Sequence, residues 1–473
     1  MKTLYLALLL AATAAHALSD SEKETLMTVA QQAYEQQDYG KARTWFEKAA
    51  TQGHAQAQYN LGVLYYNGQG MPKDIAQAAA WWEKAAAQGD AEAQYNLGLL
   101  YAEGQGVPQD YAQARAWYEK AAAQGDAAAQ SNLAVLYYEG KGVTQDYDQA
   151  RAWWEKAAAQ GNANAQYNLG LLYANGRGAA QDYGQARAWY EKAAAQDDAA
   201  AQHNLGALYD QGQGVAQDYA QARAWYEKAA AQGNTGAQFN LGLLYDEGKG
   251  VTQDYTQAAA WYEKAAVQGL VQAQYNLGVL YRDGQGVAQD YGKARAWFEK
   301  AAVQGFSAAQ SNLGVLYANG QGVAQDYGQA RAWHEKAATQ GLSAAQSNLG
   351  VLYAEGRGVV QDYGQARAWF EKAAAQDDAQ AQFNLGSLYN AGLGVAQDYA
   401  QARAWWEKAA AQDHAKAQYN LGVLYENGQG ITRDYDKARA WYEKVAAQTD
   451  DQEAQQAAQQ VLQDLDKTGN NKP

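Results

Sequence analysis

Four histidines lie beyond residue 17: His54, His203, His334 and His414. They are the side chains best suited to bind a metal or to move a proton near neutral pH. His54 and His414 occupy one position of a repeating pattern, ten repeats apart, while His203 and His334 occupy other positions more than three repeats apart. No two can reach one ion at ligand distances, so no metal site is expected. Carboxylates are plentiful, but the same ones recur in every repeat. That suits helix caps and solvated faces better than two acids held in unlike environments across a pocket. Ser131, Ser311 and Ser347 have no histidine at an offset that a nucleophilic triad could use. The Gly-x-Gly loops lack the lysine–serine pair of a phosphate loop and read as helix stops. Neither a catalytic residue nor a cofactor is expected, and the chain reads as a non-enzyme.

The element that positions all these residues is a 36-residue unit running from His54 to Thr449, written eleven times without insertion or deletion. Asparagines from Asn60 to Asn420, each followed by leucine, and tryptophans from Trp81 to Trp441 keep that step. A fixed period of this size means stacked units that bury their apolar faces against their neighbours. In the unit from Asp90 to Gly125, Asp90 is a candidate cap for a first helix with an apolar stripe of Ala93, Leu97, Leu100 and Tyr101. Gly98 leaves room for a neighbouring helix to come close. Gly104 and Gly106 end that helix, Val107 anchors the loop, and Asp110 caps a second helix that Gly125 ends. The fold class is therefore all-α, a solenoid of antiparallel helix hairpins. Gln58, Gln94, Gln130 and their successors recur in all eleven units. They read either as hydrogen bonds that set the stacking or as an amide ladder for a ligand's backbone.

The run Leu97-Gly98-Leu99-Leu100-Tyr101, then Gly104-Gln105-Gly106-Val107, Asp110-Tyr111, Ala114 and Trp117-Tyr118-Glu119-Lys120-Ala121-Ala122, resembles the Sel-1-like repeat, a relative of the tetratricopeptide repeat. The resemblance implies a right-handed superhelical solenoid acting as an adaptor for protein assemblies, with envelope or host-contact roles for secreted bacterial members. It also implies a link to penicillin binding or β-lactam hydrolysis, in members that carry cysteine pairs in each repeat; this chain has no cysteine. By comparison with tetratricopeptide repeats, two variable positions face a concave groove. The first carries Tyr59, Tyr95, Tyr167, His203, Phe239, Tyr275, Phe383 and Tyr419, with serines at 131, 311 and 347. The second carries Tyr66, Tyr138 and Arg282 among smaller or acidic residues. Its identity changes while its neighbours stay fixed, from which packing is expected not to dictate it. Rings with polar tips suit peptide or glycan stacking, so a protein or peptide partner is expected, with peptidoglycan as the alternative.

Repeats seven to nine break the capping column. Leu270, Phe306 and Leu342 stand where the others have Asp, Asn or His, and Val267 and Val303 replace alanine nearby. Two readings follow. One is local packing with Ser307 and Ser343 taking over as caps; the other is an apolar edge patch for a partner.

At the ends, residues 1–17 read as a cleavable secretory signal, with Lys2, an apolar run from Leu4 to Ala15, and Ala15-His16-Ala17 at the cut. Residues 18–53 read as a capping tetratricopeptide-like hairpin. Residues 450–466 read as a capping helix opened by a box of Thr449 and Gln452, and 467–473 as a disordered tail. A periplasmic or secreted monomer follows. The formal charge of −14 opposes nucleic acid and anionic lipid, and the absence of cysteine removes disulfides and lipid attachment through a thiol.

Overall fold

The protein is described by a computed structural model covering residues 18–469, without the side chains of 468 and 469. The expected signal, 1–17, and the end of the tail, 470–473, lie outside the described residues. Among the described residues the regular elements are twenty-five α-helices, with no strand. The chain divides into two compact units, one ending at Ala237 and one beginning at Gln238. Each is a row of antiparallel helix hairpins.

Short-range chemistry sets the hairpin. In the first unit, the Asp90 carboxylate accepts the Ala93 N–H at 2.8 Å and opens the helix Ala91–Glu103. Gly104 closes it in the left-handed conformation, φ 70°, its N–H donating to Leu100. Gly106 also has positive φ, and a Cβ there would lie 2.7 Å from the carbonyl carbon of Ile75. The loop therefore lies flat on the start of the preceding second helix, and only glycine fits. Asp110 donates its N–H to the Tyr101 carbonyl at 2.9 Å and accepts from Ala112 and Gln113, which starts the helix Tyr111–Ala123. Gly125 then turns the chain at φ 95°. Asp197, Asp377 and Asp413 take this left-handed turn in three repeats, and there the second helix stops one residue earlier, at Ala194, Ala374 and Ala410.

The core lies between repeats. One cluster joins Ala114, Tyr118, Ala121 and Ala122 of a second helix to Ala129, Leu133 and Leu136 of the next first helix, all buried. Alanines let the helices close up, and one large ring per repeat fills the remaining space. That ring sits against the first-helix glycine: a Cβ on Gly98 would fall 2.4 Å from the Tyr118 ring. The close approach expected at this glycine is thus made by a side chain rather than by a neighbouring backbone.

Two capping expectations are corrected. Ser307 and Ser343 do not cap; they are the first helical residues, and Phe306 and Leu342 hold the cap position with no side-chain hydrogen bond. The last helix, Gln452–Gly469, is capped by Asp451, which accepts the Ala454 N–H at 3.0 Å, and not by Thr449. It also continues three residues beyond 466, so the start of the supposed tail is helical. Ala454 and Ala458 bury its inner face against Tyr442 and Val445.

Candidate functional site

The glutamine column closes a hydrogen-bond circuit within the scaffold. In the first unit, Gln94 is buried and its Nε2 donates to the Ala86 carbonyl, at the end of the preceding second helix, at 3.1 Å. Its Oε1 accepts from Gln124 Nε2 at 2.9 Å. The second unit repeats this with Gln274, Ala266 and Gln304. The pairing of the two glutamines recurs in all eleven repeats, from Gln88 with Gln58 to Gln448 with Gln418. Both ends of the Gln94 and Gln274 amides are thus engaged within the scaffold, so the ladder sets stacking. The second glutamine column escaped the sequence reading. Its signal was its own recurrence thirty residues after the first.

The first variable position lies half-buried on the first-helix face. In the first unit Tyr59, Tyr95, Tyr167 and His203 pack on the buried rings of Trp82, Tyr118, Tyr190 and Tyr226, with centroids 5.7–6.5 Å apart. In the second unit Phe239, Tyr275 and Tyr419 pack likewise on Tyr262, Phe298 and Tyr442, while Phe383 stacks on His414 at 4.8 Å. Ser131, Ser311 and Ser347 are buried at this position. Burial raises the hydroxyl pKa of Tyr59, Tyr95 and Tyr167, so these tips stay protonated donors.

The second variable position answers to packing, against expectation. Tyr66 and Tyr138 lie over the buried Trp82 and Trp154, at 5.6 and 5.4 Å. Asp210 accepts the Tyr226 hydroxyl at 3.2 Å; in the second unit Asp246 and Glu426 accept those of Tyr262 and Tyr442 at 2.8 Å. In these five repeats the residue at this position engages the ring sixteen residues later, whereas Ala102 and Ala174 leave Tyr118 and Tyr190 without such a partner. Arg282 faces no hydroxyl there, since its ring is Phe298. It grips Asp283 through Nε and Nη2 at 2.7 and 2.8 Å and reaches Asn312 at 2.6 Å. That hydrogen-bonded ion pair holds Asp283 below the usual carboxylate range.

The five edge residues of the second unit separate into two sets. Val267 and Val303 are 73% and 77% exposed. Leu270, Phe306 and Leu342 are half-buried: Leu270 and Leu342 pack on adjoining core clusters, and Phe306 sets its ring 5.1 Å from that of Tyr275. The edge is therefore two exposed valines beside three residues engaged in packing.

His54 and His414 cap first helices, each ring accepting a backbone N–H through Nδ1 at 3.3 Å. His334 takes the place of the buried ring, and desolvation lowers its pKa to about 4. No group of three or more metal-binding side chains gathers among the described residues, nor is any helix there long and apolar enough to cross a membrane. The tryptophan column lies outside these faces, each indole covered by the lysine three residues on, as Trp117 is by Lys120 at 3.8 Å.

Comparison with known proteins agrees with this architecture. The family model of the Sel1 repeat matches residues 32–54 and then eleven consecutive segments from 55–90 to 415–450. The crystal structure of c5321, a protective antigen present in uropathogenic Escherichia coli and displaying an SLR fold, is 40% identical with a TM-score of 0.82; the match covers 89% of this chain and 90% of that one. A Sel1 repeat protein from Oxalobacter formigenes is 35% identical with a TM-score of 0.53, covering 69% of this chain and 93% of that one. A 58-residue stretch is 34% identical to the Helicobacter pylori protein named "Putative beta-lactamase HcpC". That match covers 12% of this chain and spans only 20% of the relative's length. With matched repeats running from residue 32 to residue 450, the chain belongs to the Sel1 repeat family.

Proposed function

We propose that this chain is a non-enzymatic scaffold of the bacterial envelope, exported by its first seventeen residues, that holds a segment of a partner protein along its first-helix face. The observation that carries the reading is the row of half-buried rings at repeat spacing. Seven of these eight are held from beneath by a buried ring, so they offer a fixed apolar edge at low entropic cost. Repeat solenoids of this family are generally protein-interaction scaffolds, and the similarity to a protective antigen supports a surface-accessible setting. The test is capture from envelope extract with the full mature chain and with Tyr167→Ser and Tyr275→Ser, serine being the residue this position already carries at Ser131. A partner held by the parent and lost from the serine variants is expected. Capture of nothing, together with hydrolysis of a chromogenic β-lactam by the purified chain, would overturn the reading.

A further inference from the structure

Within the second unit, one repeat departs from the rest at several positions that meet in space. Ala354, Phe370, Ala391 and Leu393 line a cavity of about 290 Å³ on the first-helix face, with Asn384 at its side. Ser387, Ala391 and Leu393 are each the sole residue of their type in their column of the eleven repeats: the others have an aliphatic residue or alanine for Ser387, an acid or amide for Ala391, and a long polar or basic residue for Leu393. The repeat 216 residues earlier shows what belongs in this space. There Tyr138 stands where Ala354 is, its ring on Trp154 at 5.4 Å and on Tyr147 at 5.2 Å, with Arg177 donating to its hydroxyl. Trp154, Tyr147 and Arg177 correspond to Phe370, Tyr363 and Leu393. The second unit keeps the ring-shaped seat, lacks the ring, and makes the far wall apolar.

A polar group is aimed at the seat. Asn384 Nδ2 is buried and has no acceptor. In the first unit the same amide, Asn132, donates to the Tyr118 hydroxyl at 3.5 Å, but its counterpart here is Phe370. The orientation of Asn384 is set by a chain of bonds. His414 Nδ1 accepts the Ala417 N–H at 3.3 Å, so its Nε2 carries the proton and donates to Gln380 Oε1 at 3.3 Å. Gln380 Nε2 then donates to Asn384 Oδ1 at 3.2 Å, which leaves the NH₂ facing the cavity. A side chain standing over this seat can reach that amide: Arg282, at the position of Ala354 two repeats earlier, bonds Asn312, at the position of Asn384.

We propose that this cavity is the anchor site of the partner segment and takes one tyrosine side chain of it, ring on Phe370 and hydroxyl oxygen on Asn384 Nδ2. The proposal rests on the partner-binding reading above. Ala354→Tyr is the blocking variant, since it fills the seat with the chain's own ring as Tyr138 does and should leave the fold intact; thermal unfolding checks this. A random-peptide phage library is selected on the full mature chain, and the enriched peptides are measured against parent, Ala354→Tyr and Asn384→Leu. The expected result is a tyrosine at one fixed place in the peptides, at least tenfold weaker binding to Ala354→Tyr, and a lost preference for tyrosine over phenylalanine in Asn384→Leu. Peptides without a fixed tyrosine, or bound equally by Ala354→Tyr, would overturn the anchor while leaving the partner-binding reading standing. Failure to enrich any peptide would remove both.

Discussion

Gln94 and Tyr95 are adjacent in the chain, yet they sit in regions that treat substitution in opposite ways. The glutamine belongs to a closed circuit with Gln124 and the Ala86 carbonyl, in which every buried donor and acceptor has a partner. Changing Gln94 breaks both of its bonds at once, although Gln124 keeps the Gly89 carbonyl and the Ala86 carbonyl keeps the Gly89 N–H, and the pairing of the two glutamines recurs in all eleven repeats. The tyrosine belongs to a face where residues change in matched sets. In five repeats the outer residue engages the ring, as Tyr66 does Trp82 and Asp246 the Tyr262 hydroxyl, while in others it is an alanine that does not. Variation is therefore found where a second position of the same hairpin can compensate, and is absent at Gln94, which bonds its own hairpin and the preceding repeat together.

The sharpest break of this comparison is to overfill a face that varies by exchange. A Cβ on Gly242 would lie 2.4 Å from the Tyr262 ring, and no outer substitution relieves that contact. Gly242→Leu should lower stability by about 3 kcal/mol, at the upper end of overpacking costs, and lower the urea midpoint accordingly. A variant unfolding with the parent would mean that the ring swings out freely. Next comes the circuit itself. Gln274→Leu removes two hydrogen bonds, its own to the Ala266 carbonyl, which keeps the Gly269 N–H at 3.0 Å, and the one from Gln304, which keeps the Gly269 carbonyl at 3.2 Å. The loss should be about 2 kcal/mol, and Gln304→Leu, at the exposed end, should cost less. Equal losses would show that the circuit has no buried end.

A third expectation concerns His334, the histidine of the ring column, packed against Gly314 with Nδ1 buried and unpartnered. Burial lowers its pKa from 6.5 to about 4, so the unfolded chain binds the proton more tightly. The stability is complete above about pH 6.5 and is lost as pH falls from there towards 4. Between pH 7 and 5 the loss is on the order of 2 kcal/mol. His334→Phe, the residue found at Phe298 and Phe370, should remove that part of the acid sensitivity when parent and variant are unfolded at both pH values. An unchanged difference between them would locate the sensitivity elsewhere.

The hairpins, their caps and glycine stops were legible in the sequence because each depends on residues within a turn or two of one another. Asp90, Gly104 and Asp110 show their partners locally. What escaped was whatever pairs across the hairpin. The dependence of Asp246 on Tyr262 spans sixteen residues, and each column viewed alone shows only change. The binding of Gln124 to Gln94 spans thirty, and an unchanging column names no partner. The edge was left between two readings for a related reason. Phe306 lacks an apolar partner within its own helix, but finds one in Tyr275, thirty-one residues earlier. The seat under Ala354 was hidden because three separate columns depart around it, at Ser387, Ala391 and Leu393, and only the folded chain brings them together.

The smallest expected effect asks whether compensation on the varying face is ever incomplete. Trp82 and Trp406 donate their indole N–H to the carbonyls of Tyr59 and Phe383, both at 3.1 Å. Each indole nitrogen lies against a glycine, where a Cβ would fall 2.4 Å from that of Trp82 and 2.5 Å from that of Trp406. Trp154 faces Ala134 instead, and its Nε1 is buried with no acceptor. The alanine methyl occupies the space that the indole needs to reach the Ser131 carbonyl. Ala134→Gly should open that space and restore the bond, gaining about 1 kcal/mol. Glycine inside a helix costs about 1 kcal/mol against alanine, so the two cancel and urea unfolding should barely move. Ala207→Gly, on a first helix whose repeat has no tryptophan at the ring position, serves as the control and should show the full cost. If both variants lose the same stability, the methyl of Ala134 is not what keeps Trp154 from its acceptor.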